Sequence, residues 1–339
     1  MNKTDSRYTK FHLAKEMLET PDLIRRMNIE AIKEYSAFVR TDRVLLSGEG
    51  SSRLFPAGKV RSDALANHYH TNIHVEGATQ AAEYLLDDYT VFMASNSGRT
   101  REVVELIEYL KANGHGKICG VVSKDGSPVA ELSDIYYLLN AGEEKAVAAT
   151  KTVVEQALFY DLLFRIKHGA QIPDLPHLGD LFEENLTKQL PDNFVDALRT
   201  ADTIYWSGRS DGVAAELALK TNEITRKAAL FLEGTYAVHG IEEVMSANQC
   251  VVVVDPFSGE TEKFSSVLSD GVGMQVFAIG RHNPNSVTVQ IPDYGQFTPY
   301  LELAAGWNVL VEVGMLLDID LDHPVRARKV GNEIQGTFG

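Results

Sequence analysis

Three hydroxyls, an amide and a glycine fall within one six-residue stretch, Ser95-Asn96-Ser97-Gly98-Arg99-Thr100. A β-branched and apolar run over residues 90–94 precedes it. Apolar Val103, Leu106, Ile107 and Leu110 follow at spacings of three and four. That order predicts a buried strand of a parallel sheet, a turn and an amphipathic helix. Such a helix aims its unpaired N–H groups at whatever sits above the carboxyl end of the sheet. With the hydroxyls beside them, these groups make a cradle for a tetrahedral anion. For Arg99 two readings stay open: the guanidinium faces solvent, or it adds a charged contact to the anion. The bland alternative for the stretch is a polar connection with Thr100 as N-cap.

Other reactive residue types are less telling by themselves. Lys220 and Glu223 are three residues apart on a predicted helix and share a face, which as a bare pattern is a solvated ion pair. His239 is one of ten histidines, and a structural role is the default for it, although an imidazole suits proton shuttling near neutrality. His68, His70 and His74 alternate near a strand start and read as polar surface before a metal site. Gly48-x-Gly50 after a strand has the first part of a dinucleotide fingerprint, but Arg53 stands at the third glycine position. Glu242-Glu243 either lines a site or forms a solvated turn.

Elements that would position these residues can be traced along the chain. Residues 7–40 read as an amphipathic helical arm, with Pro21 in the first turn of a second helix after an N-cap at Thr20. Strands follow at 44–48, 72–76, 90–94, 117–123 and 135–139, alternating with helices, and a long helix runs from about 149 to 168. This alternation means a doubly wound parallel α/β sheet. Pro173, Pro176 and Pro191 among acidic residues mark 171–195 as a linker, with a possible helix over 180–190. Residues 203–208 (TIYWSG) then echo 44–48, and a helix is predicted over 213–228. Residues 251–255 lead into Phe257-Ser258-Gly259-Glu260-Thr261, which lies 161 residues after Asn96-Ser97-Gly98-Arg99-Thr100. Ser47-Gly48 and Ser207-Gly208 differ by 160. Two motifs at nearly one offset argue for a duplicated domain. In the second copy Pro256 and Phe257 replace Ser95 and Asn96, so a single working anion site in the first copy is expected. The expected organisation is a helical arm (1–40), a first domain (41–170), the linker (171–195) and a second domain with the C-terminal tail (196–339).

Whole-chain numbers agree. A length of 339 residues suits two cores, and 44% hydrophobic with 23% charged residues suits globular packing. A formal charge of −15 and a pI near 5.1 argue against nucleic acid or an anionic membrane surface as partner. An anionic ligand would have to be held by local geometry. Cys119 and Cys250 lie in apolar runs and read as buried free thiols of a reducing compartment. With no signal-type segment and no run of about 20 apolar residues, a cytoplasmic protein is expected.

Gly48-x-Gly50-x-Ser52 with Ser95-Asn96-Ser97-Gly98-x-Thr100 resembles the SIS (sugar isomerase) domain, an αβα sandwich binding phosphosugars. The tandem arrangement is similar to the isomerase half of glucosamine-6-phosphate synthase and to its stand-alone relatives among isomerases, deaminases and deglycases. Lys15 to Pro21 is similar to the family's entry segment, and Val147-Ala148-Ala149-Thr150-Lys151 to its Val-Ala-Ser-Thr-Lys stretch. The resemblance implies substrate or phosphate binding by Ser52, Ser95, Asn96, Ser97, Thr100, Val147 and Ala149, with Arg99 inside the turn as a further candidate. It also implies proton transfer by Glu223 beside Lys220, ring opening by His239, sixteen residues further on, and contact of Lys329 with the sugar carbonyl. In the family that histidine comes from the partner subunit, so a homodimer with a shared active site is implied, with no cofactor and no metal. Two departures bear on substrate identity. Thr235 to Ile241 replaces Gly-Glu-x-x-His-Gly-Pro, and Ala149 replaces the serine of Val-Ala-Ser. Because Met1 leads directly into the helical arm, glutamine-dependent amination is not expected of this chain alone. The expected activity is aldose–ketose isomerisation of a hexose 6-phosphate or related sugar through an enediol. The alternatives are an amino-sugar-phosphate deaminase or ketosamine-6-phosphate deglycase, an isomerase of a 6-sulfonated sugar, and a non-catalytic sugar-phosphate sensor.

Overall fold

The computed structural model describes residues 1–281, 283–328 and 332–334. The chain divides into two compact units. The first comprises Asp22–Glu144, Ala149–Pro176 and the described residues of Arg328–Gly339; the second comprises Met1–Pro21, Lys145–Ala148 and the described residues of His177–Ala327.

In the first unit, β1 (Arg43–Gly48), β2 (Asn72–Glu76), β3 (Tyr89–Ser95), β4 (Ile118–Val122) and β5 (Ile135–Leu138) form one parallel sheet in the order β2-β1-β3-β4-β5. The central strands β3 and β4 are apolar on both faces because helices cover both. Helix Arg101–Ala112 buries Val103, Val104, Leu106, Ile107 and Leu110 together with Leu45, Val91 and Met93 of the sheet. Each such side chain contributes roughly 1.5–3 kcal/mol. Helix Lys151–His168 is buried from Lys151 to Arg165 and ends at Gly169, whose φ of +64° suits the left-handed C-terminal cap. Its Asp161 and Arg165 form a buried ion network with Lys59 and Asp63 of helix Leu54–Ala66, satisfying each charge inside the unit.

In the second unit, β6 (Thr203–Gly208), β7 (Ala228–Glu233), β8 (Cys250–Val254), β9 (Gln275–Gly280) and β10 (Val287–Gln290) pair in parallel in the order β10-β9-β8-β6-β7. Taken from the other edge, this is the order of the first sheet. Helices Val213–Thr225 and Thr298–Leu316 approach closely at Gly306, where a Cβ would lie 2.4 Å from Leu217 Cδ2. The tandem doubly wound architecture expected from sequence is the observed one.

Local expectations needed correction. Pro21 lies inside one continuous helix, His12–Arg25, and Thr20 is not a cap: its hydroxyl donates back to the Glu16 carbonyl at 3.1 Å. The helix expected to run to Ala228 ends at Thr225, where Arg226 takes a φ of +58°, and Ala228 opens β7. Within the expected linker, Leu175–Thr187 is helical and buries Leu178, Phe182 and Leu186. Cys119 and Cys250 are buried free thiols. Among the described residues no helix is long and apolar enough to cross a membrane.

Candidate active site

In the first sheet the strand order reverses between β1 and β3, and open α/β sheets bind ligands outside the strand ends at that point. Gly48 makes the approach possible, because a Cβ there would lie 2.8 Å from the Ala94 carbonyl oxygen. Beyond it, the short turn Gly50–Ser52 leaves Ser51 buried and Ser52 partly exposed.

Residues 95–100 leave the end of β3 as a tight loop. The buried Ser95 hydroxyl meets the Thr100 hydroxyl at 2.8 Å, and the Gly98 N–H donates to the Ser95 carbonyl at 3.0 Å. Gly98 has a φ of +65°, and a Cβ on it would lie 2.0 Å from Ser127 Oγ, so a side chain there is strained and displaces Ser127. Thr100 occupies the N-cap position, but its hydroxyl caps no helix N–H. Ser97 Oγ accepts the Arg99 N–H at 3.2 Å, and the Ser97 N–H has no acceptor among the described residues. The Ser97 and Thr100 side chains are partly exposed.

Arg99 is half-buried and engages the C-terminal segment. Its Nη2 donates to the Ile334 carbonyl at 2.9 Å, and the Ile334 N–H returns to the Arg99 carbonyl at 3.2 Å. Thr100 bridges Glu333 in antiparallel fashion, and the Arg101 N–H donates to the Asn332 carbonyl at 3.0 Å. Residues 332–334 thus lie along the turn, a pairing across more than 230 positions that no local pattern announces.

Asn96 is held on both sides. Ser123 Oγ donates to its carbonyl at 2.6 Å and to its side-chain oxygen, while its Nδ2 donates to Glu144 at 3.0 Å. Glu144 is buried and also accepts from the Thr150 N–H (2.8 Å), the Thr152 N–H (3.3 Å) and the Thr152 hydroxyl (2.7 Å) at the start of helix Lys151–His168. Ala149 precedes that helix and is half-buried.

Val147, Lys220, Glu223 and His239 lie in the second unit. Val147 belongs to a segment held by Glu16, which accepts the Lys145 N–H, and by the Asp322 carbonyl, which accepts the Val147 N–H at 3.3 Å. Lys220 and Glu223 lie on helix Val213–Thr225. This is not a solvated surface pair. The Lys220 side chain is fully buried, 2.7 Å from Glu223 Oε2 and 3.4 Å from the equally buried Glu216, and only Glu223 reaches solvent, at 24% exposure. His239 ends the short turn Tyr236–Val238, is exposed, and lies 3.4 Å from Lys263 Nζ. No hydrogen bond joins it to Glu223 among the described residues. Lys329 lies outside the described residues.

The corresponding reversal in the second sheet, between β6 and β8, is occupied differently. Arg209 pairs with Asp255, a non-glycine residue at φ +44°, and its guanidinium carbon stands 4.2 Å from the Phe257 ring centre. Glu302 lies nearby and fully buried; desolvation first, then Asp211 and Asp255, push its carboxyl well above the ordinary glutamate range. Asp320, Asp322 and His323 cluster elsewhere, but Asp322 accepts the His12 and Leu13 N–H groups and Asp320 closes its own turn.

Comparison with known proteins agrees with this geometry. Residues 38–166 match the SIS domain family model. That match lies within the part of the chain that forms the first sheet, and the two parallel five-stranded sheets have the tandem SIS-type α/β fold. It is 27% identical over 282 residues to glutamine–fructose-6-phosphate aminotransferase (isomerizing) of Methanocaldococcus jannaschii, covering 78% of this chain and 25% of that protein. Across the most similar curated relatives the chain spans from a quarter to about half of their length. Among solved structures, the C-terminal domain of glucosamine-fructose-6-phosphate aminotransferase from Francisella tularensis superposes with a TM-score of 0.78 at 19% identity, covering 95% of this chain and all of that one. The tagatose-6-phosphate ketose/aldose isomerase of Escherichia coli gives 0.79 at 19% identity, covering 96% of this chain and all of that one.

Proposed function

We propose that the protein is an aldose–ketose isomerase acting on a hexose 6-phosphate or a closely related anionic sugar. The observation that carries the proposal is the Lys220–Glu223 pair: a partly exposed carboxylate fixed at 2.7 Å by a lysine with no access to solvent. Isomerisation needs one group that takes a proton from C2 of the opened sugar and returns it to C1, the electrons passing through an enediol. A carboxylate with a single fixed geometry suits that task, and in this proposal Glu223 performs it. The turn over residues 95–100 and Ser52 hold the substrate's anion, with the Ser97 N–H as one of the donors. His239, supplied by a second copy of the chain, assists ring opening, and Lys329 polarises the carbonyl. The names of the similar aminotransferase and isomerase, each acting on a 6-phosphate sugar, support the substrate class.

Exchange of the C2 proton into deuterated water, followed over a panel of sugar 6-phosphates and 6-sulfonates, tests substrate and reaction together. Glu223→Gln is expected to slow exchange by about 10²–10⁴-fold. Wild-type exchange in that variant refutes the proposed base. Ammonia release from an amino-sugar phosphate identifies a deaminase, and binding without exchange identifies a sensor.

A further inference from the structure

Glu144 has an unusual combination of features for a residue so close to an anion cradle: it is itself an anion, and it is buried. Placing a carboxylate beside a phosphate site costs affinity through like-charge repulsion unless the carboxylate does something that outweighs it. Three observations indicate what that is. First, Glu144 takes the unpaired N–H groups of Thr150 and Thr152 and both threonine hydroxyls, so the positive end of helix Lys151–His168 compensates its charge. Second, its Oε2 accepts from Asn96 Nδ2, so Glu144 links residues 95–100 to that helix start. Third, Ser123 holds the Asn96 carbonyl from the opposite side, through its hydroxyl at 2.6 Å and its N–H at 3.1 Å. In a trans peptide the carbonyl and the following N–H point in opposite directions. Anchoring the Asn96 carbonyl to Ser123 therefore aims the Ser97 N–H away from Ser123, and that N–H has no acceptor among the described residues.

We infer that Glu144 is a positioning residue: through Asn96 it orients the peptide between Asn96 and Ser97, and so sets the anion affinity of the turn. The inference rests on reading residues 95–100 as the anion site. Glu144 does not touch the substrate in this account; it acts on the direction of one donor.

The sign of the effect makes the inference testable. Glu144→Gln removes a negative charge near the anion, which on electrostatics alone strengthens binding. Positioning predicts the opposite, because the glutamine amide faces Asn96 Nδ2 or the helix N–H groups with a donor where an acceptor is needed. Inorganic phosphate binding to the full chain is measured by calorimetry for wild type and variant. The expected result is about tenfold weaker binding, ~1.4 kcal/mol. On the phosphosugar found in the exchange panel, KM rises by a similar factor while kcat stays within about twofold. Should Glu144→Gln fail to fold, Ser123→Ala and Thr152→Val carry the test, each disturbing one side of the same chain, with about a threefold loss expected in both. Phosphate binding as tight as wild type, or tighter, in Glu144→Gln or in both substitutes overturns the inference alone. A wild-type chain that binds no phosphate overturns the anion-site reading, and this one with it.

Discussion

The two sheet reversals of this protein have the same frame and opposite contents. In each, a glycine closes the first strand against the carbonyl of the next: Gly48 against Ala94, and Gly208 against Val254, where a Cβ would approach to 2.8 Å and 2.5 Å. The residue after each glycine already differs. Glu49 turns aside to accept the Ala78 N–H at 2.9 Å, whereas Arg209 reaches over to Asp255 and lies against Phe257. The first reversal keeps hydroxyls and an uncommitted N–H near the strand ends. In the second, the protein's own guanidinium and carboxylate neutralise one another, and an aromatic ring stands where Asn96 stands in the first. The two halves thus share the backbone geometry of the reversal and fill it with different side chains, and in the proposed function only the first holds an anion.

The comparison can be broken most strongly at its paired glycines. Gly98→Ala forces a side chain into Ser127 at a left-handed φ, so a loss of at least ~1–2 kcal/mol of stability is expected, with phosphate binding reduced more than tenfold. At the equivalent Gly259 a Cβ meets nothing within 4 Å, and Gly259→Ala should stay within about 0.5 kcal/mol of wild type. Thermal melts and phosphate titration of the two variants check this; equal effects would mean that the turns are not functionally distinct.

Next in size is the pH response of the second reversal. Glu302 has a folded-state pKa raised above its ordinary value of 4.5 by burial, so the folded chain retains a proton that the unfolded chain releases. Its stabilising contribution is complete below about 4.5 and declines as pH rises toward the folded value. Glu302→Gln should flatten the fall of melting temperature with rising pH above that point while leaving phosphate affinity unchanged. Smallest of all, Arg209→Ala removes a partly exposed pair and should cost less than about 1 kcal/mol. Calorimetry of this variant is expected to give the wild-type phosphate stoichiometry. An additional phosphate would show that Asp255 and Phe257 were not what closed the second copy.

Much of this was legible in advance because it depends on local pattern. Residues 90–94 form a β-branched and apolar run, and Val103, Leu106, Ile107 and Leu110 repeat at helical spacing, so strand, turn and helix followed directly. The repeat offset gave the tandem fold. Strands β7, β9 and β10 were less visible: β7 starts two residues after a helix that ends on a left-handed arginine, and β10 is only four residues long. Helix Thr298–Leu316 is buried nearly all round and carries little amphipathic signal. At the site, Glu144 passed as one of several charges in an acidic loop, because its role depends on partners 48 residues back and up to 8 residues ahead.

What the sequence determined by itself is the set of functional groups and their short-range geometry. A strand period of two and a helix period near 3.6 place Ser95, Ser97 and Thr100 on one turn, and Lys220 and Glu223 on one helix face, without reference to the rest of the chain. Only the tertiary structure decided which groups remain available. Arg99 is taken by Ile334 and Asn96 by Ser123 and Glu144, while Lys220 is enclosed so that Glu223 alone meets solvent. The physical reason is that hydrogen-bond commitment and desolvation depend on what the fold brings within about 3 Å, and separation along the chain carries almost no record of that distance.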